Sequence, residues 1–524
     1  MVRIHPAIGV ARIGNSEEEF FVGPEIPGVY EYPAGSYRDD DLYLKRQGAR
    51  FRLFGYDGHD RLVGEIQESD AEITWSVHLR NTKAAGRVFA GVMEPDEGRR
   101  NDGWITKHGS DHDLILDPGK QSVFLRHKVQ KFLCETFMSV RFKPVLELGR
   151  LIYEEGTGRL IVLGGHGRAG TPFPDEFSLD NGDFANHDGW FDDISDGPVT
   201  AKVELHGGPP LYVMPAWVIV APPKYAPELQ SPVSLYDTLY QVAIDRGLTP
   251  NPFSDSEFVP SFNRDIYPIL RRADALRWVF ALSKVGHHFA IDAADAAQRQ
   301  HLFRQLRVPS GHPREPSTGT GRMPYMWSDL YQQPAVSASL TKIQYAMLNG
   351  WATGAFRDDW TGKPPSHTYE ITPQGLDQAA LEACVGAAFY PGIECSWKMR
   401  DVFQYVEPFR LNHASLSPGD VSQQMSLPWQ TDFVDCAYED PYVWWPAQRP
   451  IDVRTDEQED YSLWASSFDS PNRQGSTDMS AEEMVWNFYR LGHVLSSGRG
   501  FLESGRVATE KKAFNRSNFV TRQR

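Results

Sequence analysis

The hydrophobic pattern of this 524-residue chain changes period part-way along, and that change constrains its fold more than any other feature. Over roughly the first 235 residues, short apolar runs alternate with Gly, Pro and Asp. Phe51 to Tyr56, Glu72 to Leu79, Arg159 to Leu163, Ala201 to Leu205 and Ala216 to Val220 are examples, and they read as strands divided by turns. From about Phe262 the apolar residues recur at helical spacing instead. FNRDIYPILRRADALRWVFAL, LTKIQYAMLNGWATGAF, GLDQAALEACVGAAF and SAEEMVWNFYRLGHVL are the helix candidates. The last opens with Ser480 as N-cap and Glu483 three residues on, a capping-box pattern. Between the third and fourth lies a Pro-, Trp- and Asp-rich stretch, roughly residues 390 to 475, with little periodicity; connections that long are often functional. A chain of this length exceeds one compact core. The expectation is a mixed α+β protein with a strand-rich N-terminal half and a helix- and loop-rich C-terminal half. Its regions are expected at 1–235 (strand-rich), 236–388 (helical) and 389–524 (candidate active-site region with the late helix).

Charge and local motifs exclude more than they identify. The formal net charge is −16, so a basic face for nucleic acid or for an anionic membrane is not expected. An acidic surface suits a cationic substrate such as an amine, although net charge speaks mainly to solubility. Four cysteines, Cys134, Cys384, Cys395 and Cys436, make neither a disulfide framework nor a CxxC zinc site. The N-terminus lacks a signal-peptide pattern and no stretch resembles a membrane span, so a cytoplasmic location is expected. Gly164-Gly165-His166-Gly167 follows a strand-like run but lacks the Lys-Ser/Thr of a phosphate loop, and it reads as a turn. His108, Asp111, His112 and Asp113 lack metal-ligand spacing and read as a polar loop, so no metal site is expected. His287-His288 reads as a helix end. No GxSxG elbow and no HExxH motif is present.

The stretch from Phe389 to Pro450 is more specific. It carries FYPGIE, SPGD, LPWQTDFVDC and WWPAQRP. Together with IHPAIGVARIGNS, LILDPG, RLIVLGGHG, GWFDDISDGPVTA, PAWVIVAPPKYAP and FNRDIYPIL, these blocks run in order along nearly the whole chain. The chain resembles the lysine ε-oxidase/glycine oxidase (LodA-like) family, whose members make cysteine tryptophylquinone from their own side chains. The resemblance implies an oxygen-dependent amine or amino-acid oxidase that releases hydrogen peroxide and ammonia. It also implies a separate flavoprotein maturation partner and a homo-oligomer.

Carried over residue by residue, the family's quinone cysteine falls on Cys436 and its acidic residue on Asp432, the expected base. A thiol set against an indole edge can form the thioether, and a nearby carboxylate can move protons. Read without the resemblance, Cys436 is a small buried hydrophobe and Asp432 a cap or turn residue. The quinone tryptophan departs from the family's Trp-x-x-Leu-Gly pattern. That frame puts Phe488 before Leu491-Gly492, and the tryptophan nearby is Trp486. Two residues along a helix amount to about 200° of rotation, so the two side chains face nearly opposite ways. Either Trp486 is the precursor, or this member has lost the quinone and serves as a binding or scaffold protein or runs different, metal-dependent chemistry. Arg449, His413, Tyr489 and His493 are further polar groups near these blocks, without an assigned role.

Overall fold

The alternating runs of the first part do form strands, and those strands share one sheet. The computed structural model describes residues 1–507 apart from 31–32, 34, 89–97, 180–184, 282, 284–294, 310–322, 324–338, 365–368, 387–393, 436–444, 456–459 and 469–478. The sheet has 14 strands. Its spine runs Gln121–Phe124, Ala71–Val77, Ser195–Leu205, Ala216–Ala221, Ile8–Arg12, Arg46–Tyr56, Arg159–Gly164, Val140–Glu154, Val129–Phe137. Neighbours along this spine are antiparallel except at its centre, where Ile8–Arg12 runs parallel to Ala216–Ala221 with Ile8 opposite Trp217. Strand Ser195–Leu205 begins well before the apolar run at Ala201. Gly197 permits this: a Cβ there would strike the His78 carbonyl at the end of the adjacent strand.

Successive residues of a strand point to opposite faces, and the two central strands are covered on both. Ile8, Val10, Trp217 and Ile219 pack on one side with Leu235, Leu239 and Leu381. Ala11, Val218 and Val220 pack on the other, in a larger core completed by Trp429, Phe433, Trp445, Trp464 and Phe488. The C-terminal residues that carry the family blocks are therefore part of the main core.

The helix candidates differ in their ends. FNRDIYPILRRADALRWVFAL is a π turn at Phe262–Ile266, then an α-helix Tyr267–Ala275, then a 3-10 turn Leu276–Trp278. Lys342–Thr353 is a helix closed by a full capping box of Thr341 and Gln344. Pro373–Glu382 stops before Cys384. The late helix is the largest departure. It spans only Ala481–Asn487, passes into a 3-10 turn Phe488–Arg490, and then becomes the strand His493–Ser497 paired with Gly500–Ser504. Side chains from elsewhere take the carbonyls a longer helix would use internally. Tyr225 Oη donates to the Phe488 carbonyl at 2.5 Å, Arg38 donates to those of Tyr489 and Leu491, and Trp464 Nε1 to that of Gly492 at 2.8 Å. Ser480 does cap the helix, accepting from the Glu483 amide at 3.1 Å. Glu483 does not complete the box, because its carboxylate receives Ser467 Oγ and the Phe468 amide. The capping residues are local, but the helix length is set by tertiary contacts.

One carboxylate ties the C-terminal segment to the sheet. Asp196 is fully buried and accepts from Trp217 Nε1 at 2.9 Å, the Ser422 amide at 2.8 Å, Ser422 Oγ at 2.6 Å and the Val421 amide at 3.3 Å. Asp196→Ala strands four donors, and urea unfolding is expected to show a loss of about 3 kcal/mol or more. A change within about 0.5 kcal/mol, the usual range for a surface substitution, would contradict this role.

Candidate active site

Two adjacent acidic residues at the entrance to the Ser195–Leu205 strand organise the region. Asp192 and Asp193 are both fully buried, which is tolerable for a carboxylate only with partners around it. Asp192 forms a sealed ion pair with Lys83, accepts from Asn81 Nδ2 at 3.0 Å and takes the Trp429 amide at 2.8 Å. That last bond fixes the start of the Trp429–Asp435 helix. Asp193 accepts the amides of Gly167 and Arg168 at 2.8 and 3.0 Å. It thereby fixes the Gly164–Gly167 turn, which no helix follows. Gln430 Nε2, from the helix, donates to the Gly167 carbonyl at 3.0 Å.

The late turn closes against this assembly. The Phe488 ring lies edge-on to Trp429, with centroids 5.2 Å apart, and directly against Gly167, where a Cβ would run into the ring. Gly167 also has φ +78°, so glycine is required there on both counts. Phe433, one helical turn beyond Trp429, meets Trp429 and Trp445 edge-on, each at 5.3 Å. Asp432 sits on the same short helix and is buried. Burial pushes the Lys83 ammonium pKa down, and the charges of Asp192 and Asp432 oppose that shift. Lys83 thus links the two carboxylates electrostatically.

The predicted site residues are distributed as follows. Asp432 is in the assembly, and Cys436 lies outside the described residues. Trp486 is on the Ala481–Asn487 helix; its ring packs beside Ala169, Leu179, Trp190 and Val485, and its Nε1 reaches Glu482 at 3.4 Å. Phe488 holds the inward position, against the helix that leads to Cys436. A phenyl ring cannot be converted to a tryptophylquinone, and the Trp486 indole packs in a different cluster from Phe488.

The other polar groups have structural partners. Arg449 is buried and donates to the Phe433 carbonyl at 2.7 Å, holding the end of the helix. Tyr489 is buried beside Phe488. His493 stacks on Tyr37 at 4.7 Å, and burial depresses its pKa to about 3, so it is neutral. His413 meets Trp217 edge-on at 5.1 Å, in the core on the far face of the sheet. His108 ends the helix Asp102–His108 and bonds the Trp104 carbonyl, while His287 and His288 lie outside the described residues. Among the described residues, Glu17, Glu147 and His166 form a group with metal-like spacing. Glu147 already meets Lys131 at 2.9 Å and Arg150 at 3.1 Å, so cationic side chains satisfy it. Sequence reasoning did not single out Lys83, Asp192 or Asp193, and it read Gly164–Gly167 only as a turn. The repeated acids of GWFDDISDGPVTA were a signal for the two aspartates, whereas nothing local marks Lys83.

The geometry coincides with a sequence match. The family model described as L-lysine epsilon oxidase N-terminal matches residues 5–220, and that of the L-lysine epsilon oxidase C-terminal domain matches 323–458. The chain belongs to the L-lysine ε-oxidase family, a family of amine oxidases. It is 26% identical to L-lysine 6-oxidase of Marinomonas mediterranea, over 83% of this chain and 71% of that protein. Two solved structures of the ε-lysine oxidase of the same organism share the fold. One superposes with a TM-score of 0.76 at 23% identity, covering 97% of this chain and 95% of that one. The other, a Schiff base intermediate with L-Lys, gives 0.73 at 22% with the same coverage.

Burial raises the Asp193 carboxyl to about 7. The folded protein then holds a proton that the unfolded chain has released, so this group's contribution to stability falls as pH rises from about 4 to about 7. Asp193→Asn cannot ionise and is expected to gain about 2 kcal/mol relative to the parent between about pH 5 and about pH 8. Paired urea titrations check this, and a pH-independent difference would contradict it.

Proposed function

We propose that this chain is a quinone-free member of the L-lysine ε-oxidase family. It keeps the acidic and aromatic centre that receives a small primary amine or amino acid, and it lacks the tryptophan that would become the redox group. The observation that carries this reading is the exchange of faces between two neighbours: Phe488 is packed on Trp429 and Gly167, and Trp486 is turned to Glu482. Asp432 is the group that would hold the ammonium, and the Lys83–Asp192 pair sets the charge around it. A ligand ammonium at Asp432 forms a charge-assisted hydrogen bond, strengthened where water is excluded.

A second reading has its own support. Family membership in both matched segments, and the retention of Asp432 and Cys436 in LPWQTDFVDC, favour an amino-acid oxidase with a quinone joining Cys436 to Trp486. Such an enzyme would yield hydrogen peroxide and ammonia, depend on a maturation flavoprotein and assemble as a homo-oligomer. It requires the Trp486 indole, which here reaches Glu482, to face Cys436.

Intact mass and the visible spectrum of protein coexpressed with a partner flavoprotein separate the two. The expected result is an unmodified mass, no visible band and no peroxide from a panel of primary amines that includes L-lysine. A gain of two oxygens with a crosslinked Cys436–Trp486 peptide would overturn the proposal. Amine binding is tested separately by calorimetry. An amine that binds the parent is expected to bind Asp432→Asn about tenfold or more weakly, the loss of one charge-assisted bond. Equal affinity would remove Asp432 from the binding role.

A further inference from the structure

A cavity lies apart from the Asp432 assembly, between the Tyr267–Ala275 helix, the end of the Pro373–Glu382 helix and the hairpin at Gly500. Its volume is about 550 Å³, within the range of small-molecule sites. Four arginines line it, Arg264, Arg271, Arg272 and Arg277, in a chain of net charge −16. All four lie between the two segments that match the family, in a part of the chain neither model covers.

Three of the four are committed. Arg264 is held by Asp265 at 2.8 Å. Arg272 is held by Asp237 at 2.8 Å and Glu382 at 3.2 Å, and Arg277 by Asp274 at 3.3 Å. The acidic residues of the wall are equally occupied: Glu382 and Asp274 by those pairs, and Glu228 by the Ser496 amide at 2.9 Å. Arg271 is different. It lines the cavity half-buried and has no hydrogen bond or ion pair among the described residues. A guanidinium in that setting is available to an anion, and its planar fork suits carboxylate or phosphate oxygens.

Part of the wall is aromatic, with the Arg277 guanidinium 5.2 Å from the centroid of the Trp278 ring. Trp278 lies directly on the backbone of Gly500, which has φ +102° and where a Cβ would enter the indole. Phe501 follows, with ring centroids 6.2 Å from Trp278, and Tyr267 also lines the cavity. Aromatic walls of this kind take a flat apolar body.

We propose that this cavity binds a small flat anion, a carboxylate or phosphate monoester on an aromatic body, with Arg271 as its charge partner. The site is independent of the amine centre and of whether a quinone forms. Isothermal titration of the purified full chain with benzoate and with phenyl phosphate tests it, with benzyl alcohol as the uncharged control. At least one anion is expected to bind at a single site more tightly than the alcohol. Arg271→Ala is expected to weaken that binding about 10- to 100-fold, the loss of a charged hydrogen-bonding partner. Among the described residues Arg271 has no partner to strand, so the variant should unfold at the parent's denaturant midpoint. Preference for phenyl phosphate assigns a phosphate ligand, and preference for benzoate a carboxylate. The proposal fails if neither anion binds, if the alcohol binds as tightly, or if Arg271→Ala binds as well as the parent.

Discussion

The ion pair between Asp192 and Lys83, sealed from solvent, is the contact on which the rest of the site depends. Two charges removed from water carry a large desolvation cost, which is offset only when the remaining lone pairs are used as well. Asp192 uses its remaining oxygen positions on Asn81 and on the Trp429 amide, so one carboxylate connects the sheet, a neighbouring loop and the site helix. Its neighbours repeat the arrangement, Asp193 on the Gly164–Gly167 turn and Asp196 on Val421 and Ser422. Asp192 and Asp196 thus join an N-terminal sheet to a C-terminal segment more than two hundred positions away, and Asp193 holds the turn beside them.

From that frame the position of the late turn follows. The helix starts at Ala481 after its Ser480 cap and ends at Asn487, where Tyr225, Arg38 and Trp464 capture the next carbonyls. With the turn held at both ends, the aromatic residue that enters the core is set by its place in the chain, and that residue is Phe488. The glycine at position 167 leaves room for a ring beside the turn, and the phenyl group fills it. In the proposed quinone-free reading, this phenyl group stands where the redox-forming tryptophan would be.

Much of this was legible in the sequence, for identifiable reasons. The strands at Phe51, Arg159 and Ala216 were visible because central strands covered on both faces are continuous apolar runs. The N-cap at Ser480 was visible because capping is local. The length of the late helix was not, since it is decided by side chains from residues 38, 225 and 464, and periodicity alone continues through Leu495. The roughly 200° separation of Trp486 and Phe488 supposes one continuous α-helix, whereas the helix ends at Asn487 and Phe488 opens a 3-10 turn; the two rings still pack in different clusters. Asp192 and Asp193 stood inside a recognisable block, but nothing in the sequence says that their partners are Lys83 and a glycine turn. The Gly164–Gly167 segment was read as a simple turn; its second role, as the surface on which Phe488 rests, depends on a contact across more than three hundred residues.

The register of the late turn is the central claim, and a double-mutant cycle measures it most directly. Trp429 would be truncated together with Phe488 in one cycle and with Trp486 in another, with stabilities taken from urea unfolding. An edge-on aromatic pair contributes about 0.5–1.5 kcal/mol beyond simple burial. The account predicts a coupling of that size between Trp429 and Phe488, and near-additive effects between Trp429 and Trp486. A coupling found with Trp486 and absent with Phe488 would mean that the indole is the group facing the Trp429–Asp435 helix, and would restore the quinone.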